Sequence, residues 1–300
     1  MNRSIIYLGC LALLLFISGC SDIELKMNLE QGKTYGLEQT VNQMVRQTGQ
    51  LFQQSIIFNF DFSPQEIMEN GEMKSRLVLR RVRYEAIYPF GQVEKYDSKT
   101  DISKAPPQLM GNVYVFLLNE PLSITFQSDG SVTMFGGIDR LIDSYINAMP
   151  ASQMVNANAL KQQYNDANYK QTMNNIFNFY PPDLVSIGSS WQVAGKINLK
   201  GKNDFETKVT LKNFHDNGEA ILKFEAPIVL NDVEGNILGV TGTLDVKGTK
   251  SGSLRLDAKS GWPIEGSTTQ TYDGYISDKS THTAIWVQNV VSLKGRLPAN

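Results

Sequence analysis

From residue 25 onward the chain alternates. Apolar, β-branched and aromatic positions recur at every second residue, and Gly, Asn and Asp cluster between the runs, the pattern of antiparallel strands separated by turns. It predicts strands at 25–29, 33–46, 51–62, 73–88, 113–118, 122–127 and 132–135. Asn70-Gly71 and Asp129-Gly130 lie between such runs, and both dipeptides tolerate the positive φ of tight hairpins. A second set follows at 190–199, 205–214, 219–230, 237–247, 251–258, 263–276 and 282–293, with turns at Asn217-Gly218 and Ser260-Gly261.

Between the two sets the period changes. Residues 138–148 and 157–179 hold few β-branched side chains. Leu160, Tyr164 and Ala167, then Tyr169, Met173, Ile176, Phe177 and Tyr180, recur at three- and four-residue steps, as on one face of a helix. Pro150 ends the first helix and Pro181-Pro182 the second. The expected fold is mainly β: long antiparallel strands in two β blocks, forming a curved or half-barrel-like sheet, with a helical segment between them. The segments are then a leader at 1–19, a tether at 20–24, a first β block at 25–136, helices at 137–180 and a second β block at 181–296. The turns fall in the same order in both blocks, for Asn70-Gly71-Glu72 is echoed by Asn217-Gly218-Glu219. A duplication and one continuous domain both stay open on this pattern.

The first twenty residues obey a different rule. Arg3 precedes an apolar run from Ile5 to Ile17, and Ser18-Gly19 put small residues before Cys20. The run is shorter than the about 20 residues of a membrane span. It reads as a lipoprotein signal peptide, cleaved before Cys20. The Cys20 thiol would carry a diacylglyceryl group and its new amine an acyl chain such as palmitate, and two or more chains anchor stably. The expected location is the cell envelope, lipid-anchored, with the outer membrane favoured. Ser21, Asp22 and Glu24 partly match acidic surface-export signals, but Ile23 interrupts them, so periplasmic face and cell surface both stay open.

Cys10 would leave with the leader and Cys20 is spent on lipid, which removes disulfides, thiol catalysis and thiolate metal sites from consideration. A formal net charge of −2 argues against nucleic acid as a partner. The expected partners are the membrane, through acylated Cys20, and a lipid or other envelope component.

Several short motifs resemble, in order, the exported bacterial proteins, mostly from Bacteroidota, grouped as domain of unknown function 6263. They are Leu29-Glu30-Gln31-Gly32-Lys33-Thr34-Tyr35, Arg81-Val82-Arg83-Tyr84, Tyr96-Asp97-Ser98, Asp129-Gly130-Ser131-Val132 with Gly136-Gly137-Ile138-Asp139, and Tyr180-Pro181-Pro182 with Val185, Gly188, Ser190 and Trp191. The likeness spans roughly residues 25–290. It implies an exported, β-rich lipoprotein and transfers no activity, cofactor or catalytic residue.

Motifs for chemistry are sparse. Gly248-Thr249-Lys250-Ser251-Gly252 carries its serine one place late for a nucleophile elbow. His215 and His282 lack metal-ligand spacing and read as surface or partly buried strand positions. Asp139 and Asp143 share a helical face but suit a solvated helix start. Asp273 and Asp278 flank a Gly-Tyr pair that reads as a turn. A basic cluster, Lys74, Arg76, Arg80, Arg81 and Arg83, places Arg76 and Arg80 on one strand face and Arg81 and Arg83 on the other. It is either a solvated edge or a ligand or headgroup contact. Met149, Met154, Met173, Phe177, Phe179 and Tyr180 either line an adaptable apolar pocket or pack the helix onto the sheet.

The expectation is a non-enzymatic envelope lipoprotein that binds an apolar or amphipathic ligand, with no cofactor, metal or catalytic residue. The alternatives are an accessory subunit of an outer-membrane complex and a carboxylate-based hydrolase.

Overall fold

Alternating side chains become strands only when their backbones find partners, and here one ladder joins nearly all of them. A computed structural model describes residues 22–100, 114, 116–148, 157–197, 204–237, 240–278 and 281–299. The first block comprises β1 (Tyr35–Gln47), β2 (Gln50–Ile67), β3 (Met73–Ile87), β4 (Val93–Asp97), β5 (Pro121–Phe126) and β6 (Val132–Gly136). Helices α1 (Ile138–Ala148), α2 (Ala157–Gln163) and α3 (Asp166–Phe177) follow. The second block comprises β7 (Ser190–Lys196), β8 (Asp204–Phe214), β9 (Glu219–Ile237), β10 (Val240–Asp257), β11 (Pro263–Ser277) and β12 (His282–Arg296).

The strands form one antiparallel sheet, ordered β6-β5-β3-β2-β1-β12-β11-β10-β9-β8-β7, with β4 added beside β3. It is mainly β, curved and not closed, as the alternation implied. The first and last strands meet at its centre, in register from Gly36↔Arg296 to Gln47↔Ile285. The chain therefore runs from the centre to the β6 edge, crosses through the helices, and returns from the β7 edge to the centre. The two blocks are one continuous sheet.

The core lies where α3 meets both blocks. Phe177, at the end of α3, is fully buried against Phe62 at 5.5 Å, Phe126 at 5.2 Å and Trp262 at 5.6 Å between ring centroids. Burying a ring of this size removes 150–250 Å² from water, and edge-on pairs add about 0.5–1.5 kcal/mol each.

All four expected turns form, with Gly71, Gly130, Gly218 and Gly261 at positive φ. Thr48-Gly49 is a fifth, joining β1 to β2 with φ of 49° and 78°. At Gly261 two demands coincide, because a Cβ there would stand 2.2 Å from the Lys26 carbonyl oxygen.

That close approach corrects the strand expected at 25–29. These residues form no ladder. They make an extended strap whose amides bond turn carbonyls, Met27 to Ser128 and Asn28 to Ser260, both at 2.8 Å. Leu25, Met27 and Leu29 point into the core. The strand expected at 113–118 is also corrected, since Tyr114, Phe116 and Leu117 are helical and Leu118 alone bridges Leu79. The run is too short for periodicity to separate the two states.

The helix expected at 157–179 is two helices. Asn165 is extended, at φ −149°, and its side chain caps α3 by accepting from the Asn168 amide at 2.8 Å. The strands expected at 237–247 and 251–258 are the single β10, and Asp273 lies within β11 rather than in a turn. Asp278 does serve a turn, accepting from the Thr281 amide. β4 was not expected at all.

Candidate functional site

Helix α3 is held at both ends by side chains. At its start Asp166 accepts from the Ile138 amide of α1 at 2.7 Å, while Asp139 accepts from the Asp166 amide at 3.1 Å. Each carboxylate thus sits at the other helix's N-terminus, where unpaired amides and the helix dipole favour negative charge. Asp143, the other carboxylate on that face, pairs with Lys161 at 2.7 Å. Both acids of that face are occupied in holding helices.

Further along α3, two adjacent asparagines bind opposite edges of the sheet. Asn174 accepts from the Val132 amide on edge strand β6 at 3.0 Å. Asn175 donates to the Lys196 carbonyl on edge strand β7 at 2.8 Å and accepts from the Lys196 amide at 3.3 Å. Exposed edges present unpaired N–H and C=O groups that invite foreign strands. Here α3 supplies partners to the edges at Val132 and at Lys196, a use for neutral amide side chains rather than charge.

Spanning the gap leaves space beneath. A cavity of about 310 Å³ lies between α3 and the inner faces of β7 to β12 and β1. Ile176 and Phe179 form its roof, and Val193, Phe205, Phe224 and Leu293 line its apolar walls. Gln39, Gln270, Thr207 and Thr268 add neutral polar groups, and Lys196 and Lys250 are the lining residues with charge. Lys250 Nζ lies 5.4 Å from the centre of the Phe205 ring. A mostly apolar concavity with a few convergent polar groups is the usual form of a small-molecule site. Among the described residues no group of three or more His, Cys, Asp or Glu side chains is placed to hold a metal ion.

Of the residues expected to line an apolar pocket, Met173, Phe177 and Tyr180 are buried in the packed core. The Tyr180 hydroxyl donates to the Gly261 carbonyl, and burial raises its pKa. Phe179 does line the cavity. Met149 and Met154, like Cys20, the residue expected to carry lipid, lie outside the described residues. The cavity instead takes its helical wall from Thr172, Asn175 and Ile176, one turn-face away from Met173 and Phe177.

The basic cluster lies elsewhere. Asn59 pairs with Arg81 and Phe60 with Leu79, so Arg80 is the extra residue of a β-bulge. Before it the inward positions of β3 are Met73, Ser75, Leu77 and Leu79, and after it Val82, Tyr84 and Ala86, all buried; Val78, on the other face, is buried as well. The bulge rephases the strand, and this corrects the two-face reading: Arg76, Arg81 and Arg83 share the outer face. Arg80 pairs with Asp61 at 2.8 Å, and Arg296 reaches the same carboxylate at 3.3 Å. Arg81 grips Asp97 through two hydrogen bonds, and that contact lowers the Asp97 pKa to about 2. Lys74 pairs with Glu66, and Arg76 borders a shallow groove with Arg140. His215 and His282 are both exposed.

From the sequence, Lys250 and the glycines beside it register only as a failed nucleophile elbow, not as part of a ligand site. Its signal was present: a lysine on the inner alternation of a strand whose other inner residues are Leu, Val and Gly.

No curated protein matches this sequence. Among solved structures, the chain is similar to an outer membrane channel from Pseudomonas putida F1, with 7% identity, 90% of this chain and 97% of that chain covered, and a TM-score of 0.25. It is likewise similar to OccK7 of Pseudomonas aeruginosa, with 7% identity, 88% and 98% covered, and a TM-score of 0.21. Likenesses this slight carry no argument about fold or function. The family of unknown function (DUF6263) matches residues 78–263, from the middle of β3 to the start of β11. Over more than half its length this chain fits that family, and it belongs to DUF6263.

Proposed function

We propose that this protein is a non-enzymatic, lipid-anchored component of the cell envelope that holds an apolar or amphipathic ligand in the cavity between α3 and the sheet. The cavity carries the reading: about 310 Å³, walled by Ile176, Phe179, Val193 and Phe205. The lining includes no Asp, Glu, His or Cys. A hydrolase working through two facing carboxylates needs them about 5–10 Å apart across a cleft, so this cavity favours binding over that alternative.

The anchor half of the reading rests on the leader and Cys20. No helix among the described residues is long and apolar enough to cross a membrane, which says nothing of crossing by strands. Ile23 already forms a bridge with Val185, and the Ser186 hydroxyl donates to Asp22 at 2.9 Å. Two residues span at most about 7 Å, so acyl chains on Cys20 would hold the body against the bilayer with almost no free tether. Leu184 and Ile187 flank that bridge, 59% and 49% exposed.

An accessory-subunit role has one observation in its favour. Phe90 is 98% exposed at the tip of the β3–β4 loop, beside exposed Ile87 and Val93.

Native mass spectrometry with lipid extraction tests the proposal, using a body that begins at Ser21 and is purified from an envelope-bearing host. A stoichiometric adduct of lipid mass is expected. A clean apo mass would overturn the ligand half of the proposal.

A further inference from the structure

We propose that the ligand of this cavity is an amphiphile with a monoanionic head group, such as a carboxylate, and that Lys250 receives that head group. This rests on the reading of the cavity as a ligand site and adds the chemical class of its occupant.

The placement of Lys250 is the first observation. Along β10 the inner positions are Leu244, Val246, Gly248, Lys250, Gly252, Leu254 and Leu256, and the Leu and Val members are buried. One ammonium group interrupts an otherwise apolar row. Taking an ion out of water is unfavourable unless something pairs with it. Lysine stays in such a row at a cost to the empty protein.

The second observation is the room around it. A Cβ at Gly248 would lie 2.0 Å from the Thr271 carbonyl oxygen, and one at Gly252 would lie 2.3 Å from that of Ser267. The strands approach too closely there for any side chain, so Lys250 stands with an empty position on each side along its strand. Its partner on β11 is Gln270 and its partner on β9 is Ala226, both neutral.

The third is the balance of charge. The charged lining residues are Lys196, exposed at the β7 edge, and Lys250; the lining holds no acid. Burial alone lowers the Lys250 pKa, to about 8, which keeps the group largely protonated at neutral pH. The Phe205 face takes up part of the charge by cation–π attraction. A single half-buried cation with neutral amides matches a single negative charge, and a charge-assisted hydrogen bond is about twice as strong as a neutral one. The apolar walls then take the chain behind the head group.

The test uses the full chain in phosphatidylcholine nanodiscs at pH 7, titrated calorimetrically with octanoate, octanol and octyltrimethylammonium against empty nanodiscs. We expect octanoate to bind at least tenfold more tightly than octanol, and the ammonium compound most weakly. In Lys250→Met, which keeps the stem over Phe205, octanoate should fall to the affinity of octanol, and octanol should stay within twofold of its original value. Equal affinity for octanoate and octanol in the unaltered chain would overturn the head-group assignment and leave the cavity reading standing. Binding of none of the three would overturn both. The head-group ranking in the unaltered chain decides the matter even if the variant fails to fold.

Discussion

The Asn175 side chain closes a two-bond ring with the backbone of Lys196, giving to its carbonyl at 2.8 Å and taking from its amide at 3.3 Å. This is how a neighbouring strand would bond, so a helix side chain ends the sheet at β7. Asn174 makes the matching contact to Val132 at the β6 edge. Each net hydrogen bond is worth about 0.5–1.5 kcal/mol. Asn175→Ala should therefore cost about 1–2 kcal/mol and Asn174→Ala about 1 kcal/mol in denaturant unfolding. Amide exchange should quicken at Lys196 in the first variant and at Val132 in the second.

Phe177 is the point at which the two blocks share one core. Phe177→Ala should cost about 3–5 kcal/mol, the usual range for deleting a buried aromatic ring. Thermal unfolding should stay a single transition, because Phe62 and Trp262 belong to opposite blocks and lose their contacts together.

Lys250→Met should raise stability at pH 7 by about 1–2 kcal/mol, since it removes a desolvated charge from an apolar row. The folded pKa lies near 8, below the 10.5 of a free lysine. Between those values the unfolded chain binds more protons, so the wild-type penalty fades as pH rises through that window. Buried tyrosines, such as Tyr164 with its pKa raised to about 12, act equally on both proteins. The stability difference between variant and wild type should thus shrink from pH 8 to pH 10.5, measured by urea unfolding at each pH.

Asp97 behaves in the opposite sense. Its pKa is lowered from 3.8 to about 2, chiefly by the hydrogen bonds from Arg81. Its contribution to stability is complete above pH 4 and is lost as pH falls toward 2. Arg81→Met should return the Asp97 titration, followed by carboxyl NMR, toward 3.8 and flatten that part of the acid unfolding curve.

If Cys20 carries lipid, an environment-sensitive fluorophore attached at Leu184→Cys should shift to the blue when the full chain is placed in nanodiscs. The same dye at Phe90→Cys should keep its aqueous emission. Equal responses at the two positions would contradict the orientation proposed here.

The elements that announced themselves in the sequence were those with a complete local signal. Helix α1 has the bounds expected from its period and from Pro150, and the four glycine turns fall where their dipeptides put them. Pairing between β1 and β12 had no such signal, because nothing near residue 35 refers to residue 296. The bulge at Arg80 was hidden for a related reason: one extra residue reverses the phase of a two-residue period without changing its composition. The break expected between residues 247 and 251 is instead continuous β10, where Gly248 and Gly252 permit close strand contact around Lys250. The cavity therefore escaped notice, and the helix residues first expected to line it, Met173 and Phe177, took the core. Nothing local marks Asn174 and Asn175 for their contacts, since an edge-capping role depends on where two distant strands end.

The central claim is that a small ligand occupies the space beneath α3, and photo-crosslinking in the native envelope tests it most directly. A benzophenone amino acid replaces Val193 inside the cavity in one strain and Phe90 at the exposed loop tip in another. The account predicts that irradiation adds a lipid-sized mass to the peptide containing residue 193 and none to that containing residue 90. A bare peptide at 193 together with a protein-sized adduct at 90 would contradict it and make this chain a partner-binding subunit instead.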